Sequence, residues 1–352
     1  MKYDNLRLAL FAKRKLLSKF GFKPNNTISL NRREKPALLN TEFLGVYSKA
    51  SYLEIDDLRT NTKRGHYFNE RNFFKLSNVI IEPHQGLIWD DRGKFIEESS
   101  NYPIYQTYSS FPWNPNYRRV ERVSGTYLFL PTNGYWHWLV EDLPSFLFLT
   151  KLFPNLRVLI KSNPPKFISD FLSKLDIDIK FVDGPVLAEN LLFIEKKTDS
   201  GWLHPSDLTV LREFNLFSKA LSSATPNRLI YAKRMVSKRV PCNETEIAAM
   251  FKSHGFEIVV PEELDLIDEA RLFSETQILA SVHGSALTNM IWMQQNTNVF
   301  DIVNENYWTE AAFSVLPQVG VRYNYSVYPG DSNTKVDLRI LAQDLKKILE
   351  KQ

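Results

Sequence analysis

The sequence predicts an α/β protein in which two doubly wound units face each other across a cleft, preceded by a basic helical and irregular arm and a β-hairpin. Three observations predict it. From about residue 123 onward, short β-branched and aromatic runs alternate with longer stretches of helical periodicity, the order of parallel strands covered by helices. The alternation pauses at the turn-like Ala224-Thr225-Pro226-Asn227, which divides it into two units. A chain of 352 residues with 43% hydrophobic and 13% aromatic content can bury one large core or two of ordinary size, and two is the expectation.

The elements follow in order. Residues 1–20 set Leu6, Leu8, Leu10, Phe11, Leu16, Leu17 and Phe20 among Arg7, Lys13, Arg14, Lys15 and Lys19, the pattern of a basic amphipathic helix without a signal-peptide cleavage site. Such a helix either lies on an anionic membrane surface or packs on the protein's own core. Residues 21–75 read as an irregular arm, so that 1–75 stands apart from the units. Asn78–Glu82 and Gly86–Trp89, with Lys94-Phe95-Ile96 after the polar turn Asp90-Asp91-Arg92-Gly93, carry the hairpin signature. The first unit, 76–225, has strands expected at 123–130, 156–161, 178–182 and 190–195, and helices at 135–152, 166–175 and 206–222. The second, 226–330, has strands expected at 228–233, 256–260, 277–282, 298–303 and 321–327, and helices at 243–253, 267–275 and 285–293. In 331–352, Val336, Leu338, Ile340, Leu341, Leu345, Ile348 and Leu349 predict a helix that packs back across the first unit.

Composition narrows the function. The single cysteine, Cys242, allows no intramolecular disulfide and fits a reducing cytoplasm. A net charge of +4 suits phosphorylated ligands without demanding nucleic acid. The richest apolar stretch, Tyr127 to Phe153, is broken by Asn133, His137, Glu141, Asp142 and two prolines, so it does not span a membrane.

Ligands of parallel sheets bind beyond the carboxyl ends of the strands, and the chemistry-bearing residues cluster there. After the buried strand 277–282, His283-Gly284-Ser285 turns into the helical run Ala286 to Met293. A helix N-terminus with Gly284 offers an anion close approach to backbone N–H groups, and His283 can donate to a phosphate oxygen. The plain alternative is a turn glycine beside a capping histidine. Lys233 and Arg234 fall at the carboxyl end of strand 228–233, with Lys238 and Arg239 beyond, and can neutralise a pyrophosphate leaving group; each alone reads equally as surface charge. Arg228 lies at the other end of that strand. Asp301 and Glu305 can accept sugar or ribose hydroxyls, or cap a helix. In the first unit, Asn133 caps a helix in which His137 and Glu141, four apart, share a face beside Asp142. An acceptor hydroxyl needs a base, and these three are the candidates, with the two acids ahead of the histidine. Tyr102, Tyr105, Tyr108, Phe111, Trp113 and Tyr117 offer sugar-stacking faces or core.

In the order and spacing of Arg228 to Arg234, Asn243-Glu244-Thr245-Glu246, Gly255 to Leu264 and His283 to Asn289, the chain resembles glycosyltransferase family 61, over roughly residues 78 to 327. The His137 helix ending in Leu143-Pro144 is similar to the family's histidine-containing helix. The resemblance implies a GT-B-like fold of two Rossmann-like domains, a nucleotide-sugar donor held by the C-terminal one, a glycan acceptor, oligosaccharide or lipid-linked, and inversion at the anomeric carbon. It is carried to a donor set of Arg228, Lys233, Arg234, His283, Gly284, Ser285, Ala286, Asn289 and Glu305, and a catalytic set of His137, Glu141 and Asp142. The chain departs from the pattern at Gln294-Gln295-Asn296, where relatives carry Pro-Pro-Gly, and at Lys233, where an arginine pair is frequent.

Asp176-Ile177-Asp178 formally matches the Asp-x-Asp of metal-dependent transferases but lies outside both groups, so no cofactor or divalent metal is expected. Neither a dinucleotide fingerprint nor a nucleophile elbow occurs. The expectation is a metal-independent, inverting transferase of capsule or lipopolysaccharide synthesis, cytoplasmic and peripheral at the inner membrane face. Its rivals are a sugar-binding protein without turnover and a hydrolase using His137 and Glu141.

Overall fold

The computed structural model describes residues 27–28, 41–57, 62–83, 86–91, 93, 95–99, 120–131, 134–196, 201–222, 225–234, 240–331 and 333–350. The basic helix expected over 1–20, the aromatic group from Tyr102 to Tyr117, Asn133, Lys238 and Arg239 lie outside the described residues.

The first half is built on a nine-stranded sheet. Its strands are β1 (Thr27–Ile28), β2 (Thr41–Ser48), β5 (Arg71–Glu82), β6 (Leu87–Asp90), β7 (Phe95–Ile96), β8 (Glu121–Leu130), β9 (Arg157–Lys161), β10 (Ile179–Val182) and β11 (Val186–Ile194). They run in the order β1-β7-β6-β5-β11-β8-β9-β10, with β2 also on β5. Between β2 and β5, β3 (Ser51–Asp57) and β4 (Thr62–Phe68) form a separate antiparallel hairpin. The expectation of an irregular arm through residue 75 is therefore corrected: 41–75 is mostly strand. Its alternation is poor because β5 has strands on both edges and is buried along most of its length, a burial supplied by distant partners. The sheet is mixed rather than parallel, since β11 runs antiparallel to β5 and parallel to β8.

One helix, α1, covers 135–152, and α2 (Lys166–Leu172) follows. The single helix expected over 206–222 is two, α3 (Pro205–Glu213) and α4 (Asn215–Leu221), because Phe214 takes extended backbone angles between them.

The second half is a five-stranded sheet, parallel throughout: β12 (Arg228–Ala232), β13 (Glu257–Val259), β14 (Thr276–Val282), β15 (Asn298–Asn304) and β16 (Arg322–Tyr328), in the order β13-β12-β14-β15-β16. The chain leaves β12 through α5 (Glu244–Ser253) to β13 on one side, then returns through α6 (Leu266–Ser274) to β14 on the other. Strand order reverses between β12 and β14, which opens a crevice at their carboxyl ends. The segment expected as an α-helix after β14 is a 3-10 helix, Ser285–Trp292. Sequence periodicity did not predict α7 (Ala311–Val319), whose internal Pro317 masks it; Gly320 ends it in the left-handed conformation.

The terminal helix, α8 (Leu338–Leu349), forms as expected but does not pack across the first half. Leu341, Leu345 and Ile348 lie one above another and bury with Val336 against Tyr231, Ile247, Phe251 and Phe300 of the second half. A different apolar cluster runs from Leu128 and Trp138 of the first half to Ala232, Leu279 and Met290 of the second, so the halves share one core.

Candidate functional site

The crevice at β12 and β14 forms one wall of a cavity of about 520 Å³. Arg234, two residues beyond β12, is 9% exposed, and its Nη1 donates to the His283 carbonyl oxygen at 2.8 Å across the switch point. Gly284 has φ +155°, and a Cβ there would stand 2.2 Å from Arg234 Nη1. Only glycine lets the guanidinium cross beneath the turn. Ser285 and Ala286 open the 3-10 helix just beyond, where first-turn N–H groups lack helical partners and favour an anion.

His283 lines the same wall in a role other than the one expected. Its Nδ1 lies 2.7 Å from Asp301 Oδ2, and its Nε2 accepts from the Thr309 main chain at 3.4 Å and meets the Thr309 hydroxyl at 3.1 Å. Both ring nitrogens are thus engaged within the protein. Asp301 also accepts from the Tyr323 hydroxyl at 2.5 Å. It is fully buried and holds His283, rather than meeting a ligand hydroxyl.

The opposite wall is the start of α1. Pro144 lacks the N–H that a regular helix would give the Val140 carbonyl, and its ring crowds that carbonyl. The helix answers by widening into a π turn over Trp138–Asp142, with the Leu143 N–H reaching Trp138 O. The widened turn separates the two neighbouring acids. Glu141 turns to the cleft side, where it meets His137 Nδ1 at 3.2 Å and accepts from the Gly201 N–H. Asp142 turns away, to Lys196 at 2.8 Å beside a separate pocket of about 50 Å³. His137 lines the cleft, half-buried, and its hydrogen bond to Glu141 raises its pKa above the ordinary 6.5. Burial pushes the Glu141 carboxyl up, but His137, Lys196 and the Gly201 N–H outweigh it and leave the group below its usual range. The structure places His137 on the cleft, holds it with Glu141 and turns Asp142 away from it.

A third side was not legible in the sequence. Tyr307, Thr309 and Glu310 line the cleft ahead of α7, and Gly201 with Trp202 closes it from the first half. The β3–β4 hairpin grips this side from outside: Arg64 pairs with Glu310, and His66 stacks on Trp202 with ring centroids 3.9 Å apart. Their only sequence signal is an aromatic and acidic cluster past β15.

Other residues of the expected donor set fall elsewhere. Arg228 sits at the amino end of β12, away from the crevice, paired with Glu257 at 2.6 Å and Glu275 at 3.1 Å. Glu305 is exposed and accepts from the Gly330 N–H at 2.8 Å, which holds a turn. The Lys233 main chain donates to Val259, and its side chain does not line the cleft. Asn289, within the 3-10 helix, is fully buried. Asn296, in the departing Gln-Gln-Asn turn, takes φ +62°, the conformation a glycine would supply. Among the described residues, no group of three or more His, Cys, Asp or Glu side chains is arranged to hold a metal ion.

The stretch from Tyr135 to Phe300 thus holds the His137–Glu141 pair, Arg234 and the His283 turn in one cleft. Residues 135–300 match the family described as Glycosyltransferase 61. The family 61 match begins at the first residue of α1 and ends inside β15, so it takes in both walls. The chain is also 30% identical over 95 residues to alpha-1,3-arabinosyltransferase XAT2 of Oryza sativa subsp. japonica, a stretch covering 26% of this chain and 16% of that protein.

Proposed function

We propose that the protein is a glycosyltransferase that moves a sugar from a nucleotide-sugar donor to a glycan acceptor with inversion at the anomeric carbon. One observation carries this reading: a single cleft has an anion-binding wall of Arg234, Gly284 and a helix N-terminus, faced by a histidine held by an ionised carboxylate. The similarity to family 61 and to an arabinosyltransferase supports it. The donor diphosphate lies against Arg234 and the N–H groups of Ser285 and Ala286. Its negative charge grows as the anomeric C–O bond breaks, and the fixed donors stabilise it without a divalent ion. The acceptor oxygen bonds to the anomeric carbon from the other face while His137 takes its proton, and Glu141 stabilises the resulting imidazolium.

The acceptor in this reading is a growing capsule or lipopolysaccharide precursor, oligosaccharide or lipid-linked, at the cytoplasmic membrane face. The basic, amphipathic sequence of residues 1–20 supports that location. No helix among the described residues is long and apolar enough to cross a membrane.

A thermal-shift screen of nucleoside diphosphates and nucleotide sugars tests the donor site, because a ligand of the folded state raises Tm. At least one nucleotide sugar is expected to stabilise the wild type, and Arg234→Ala to lose that shift. A screen without a stabilising nucleotide, or an undiminished shift in Arg234→Ala, would remove the proposed donor wall.

A further inference from the structure

Three side chains, Tyr135 half-buried and two others buried, tie the two walls of the cleft together, and the transfer reading uses none of them. Tyr135 is the first residue of α1, two positions before His137, and lines the cleft. Its hydroxyl lies 2.7 Å from Glu269 Oε2 on α6 and 2.8 Å from Asn289 Oδ1 in the 3-10 helix. Glu269 is 2% exposed and Asn289 fully buried.

The carboxyl is buried among acids. Burial pushes Glu269 up to about 8 against the hydrogen bonds of Tyr135 and Asn289, which lower it, and its charged neighbours Glu262 and Asp265 are both acids. A neutral Glu269 donates to the phenol oxygen and leaves the phenol hydrogen for the Asn289 amide oxygen. The cations on packed elements are engaged or distant: Lys174 pairs with Asp265 at 3.3 Å, Lys166 with Asp170 at 3.0 Å, Arg271 with Asp268 at 3.0 Å, and Lys219 on α4 is exposed. The 3-10 helix and β14 bring no titratable group.

We propose that Glu269 is a positioning residue: as a neutral acid it latches Tyr135, and with it the His137 end of α1, to the half of the protein that carries Arg234 and Gly284. The importance of His137 for turnover rests on the transferase reading, but the latch does not. Glu269→Gln keeps the contact, because a carboxamide N–H donates to the phenol oxygen without a titratable proton. Glu269→Ala and the milder Tyr135→Phe break it.

Two measurements on the full chain test the latch without a substrate. The first compares Tm against pH in the wild type and Glu269→Gln. A folded-state pKa above the unfolded carboxyl value gives stability that is complete at low pH and lost as pH rises toward 8. The wild type is therefore expected to lose Tm relative to Glu269→Gln between about pH 4.5 and 8, then to run parallel to it. A pH-independent difference would mean that Glu269 is ionised in the folded protein and would overturn the proposal. The second follows the six histidines by NMR of ring-labelled protein. The His137 titration midpoint is expected to be unchanged in Glu269→Gln and lowered in Tyr135→Phe, where the imidazole drifts from Glu141. An unmoved midpoint in both Tyr135→Phe and Glu269→Ala would reduce the cluster to packing. Absence of glycosyl transfer would sink the functional reading and leave both results readable.

Discussion

Glu141 and Asp142 are adjacent and chemically alike, yet one holds a cleft histidine and the other a lysine behind the helix. That difference fixes what each can do to a reaction. Glu141→Gln keeps the shape of the side chain but removes the charge that raises the His137 pKa. A base works deprotonated, so activity in the wild type is expected to rise with pH through the His137 midpoint, above 6.5. In Glu141→Gln this acid limb of kcat/KM moves to lower pH, and the plateau falls at least roughly tenfold, short of the ~10²-fold or more lost with a general base. An acid limb that stays in place would exclude the pair as the base. At this scale the sequence supplied the identities but not the roles. Spacing of four put His137 beside Glu141, and the turn at Gly284 was legible from the strand before it. The partners of His283 were not, because Asp301 and Thr309 lie 18 and 26 residues away.

Among the elements, the π turn in α1 governs the site most directly. Its cause is one residue, Pro144, and it is reversible in principle. Pro144→Ala restores an N–H for the Val140 carbonyl and removes the clash, so a regular α turn becomes the easier conformation. Taking one residue out of register rotates the helix by about 100° between the parts that flank it. Turnover is expected to drop as the His137–Glu141 pair separates, while Tm holds or rises. Kinetics with thermal unfolding checks this, and unchanged turnover would show that the widened turn does not set the geometry. The helix itself was plain from periodicity; its widening was not, because hydrophobic spacing does not distinguish a turn of 3.6 residues from one slightly larger. The terminal helix teaches the complementary lesson. The stripe of Leu341, Leu345 and Ile348 identifies a buried face, but a stripe does not name its partner, and the partner is the second sheet.

For the whole molecule, α3 is the bolt between the halves. Near its start, Asp207 is buried against β2 and β5, accepting from Arg71 Nη2 at 2.6 Å and from Tyr47, whose ring lies 4.6 Å beneath the guanidinium. At its other end Arg212 donates to Ile291 O and Met293 O, closing the 3-10 helix of the second half. Asp207→Ala leaves Arg71 buried and unpaired and is expected to cost about 3–5 kcal/mol in denaturant unfolding. Because the halves share an apolar core, the loss should appear as one earlier transition; a separate early step involving only half the signal would contradict a shared core. Alternating strands and helices were readable because local periodicity encodes them. The mixed first sheet and the shared core were not, since each depends on partners distant in sequence.

The ion pair of Arg64 with Glu310 joins residues 246 positions apart. Its consequence is temporal. During synthesis the β3–β4 hairpin emerges well before the surface it grips, which does not exist until α7 has left the ribosome, so the third side of the cleft closes only then. A nascent chain can finish its first sheet long before its cleft has a third side.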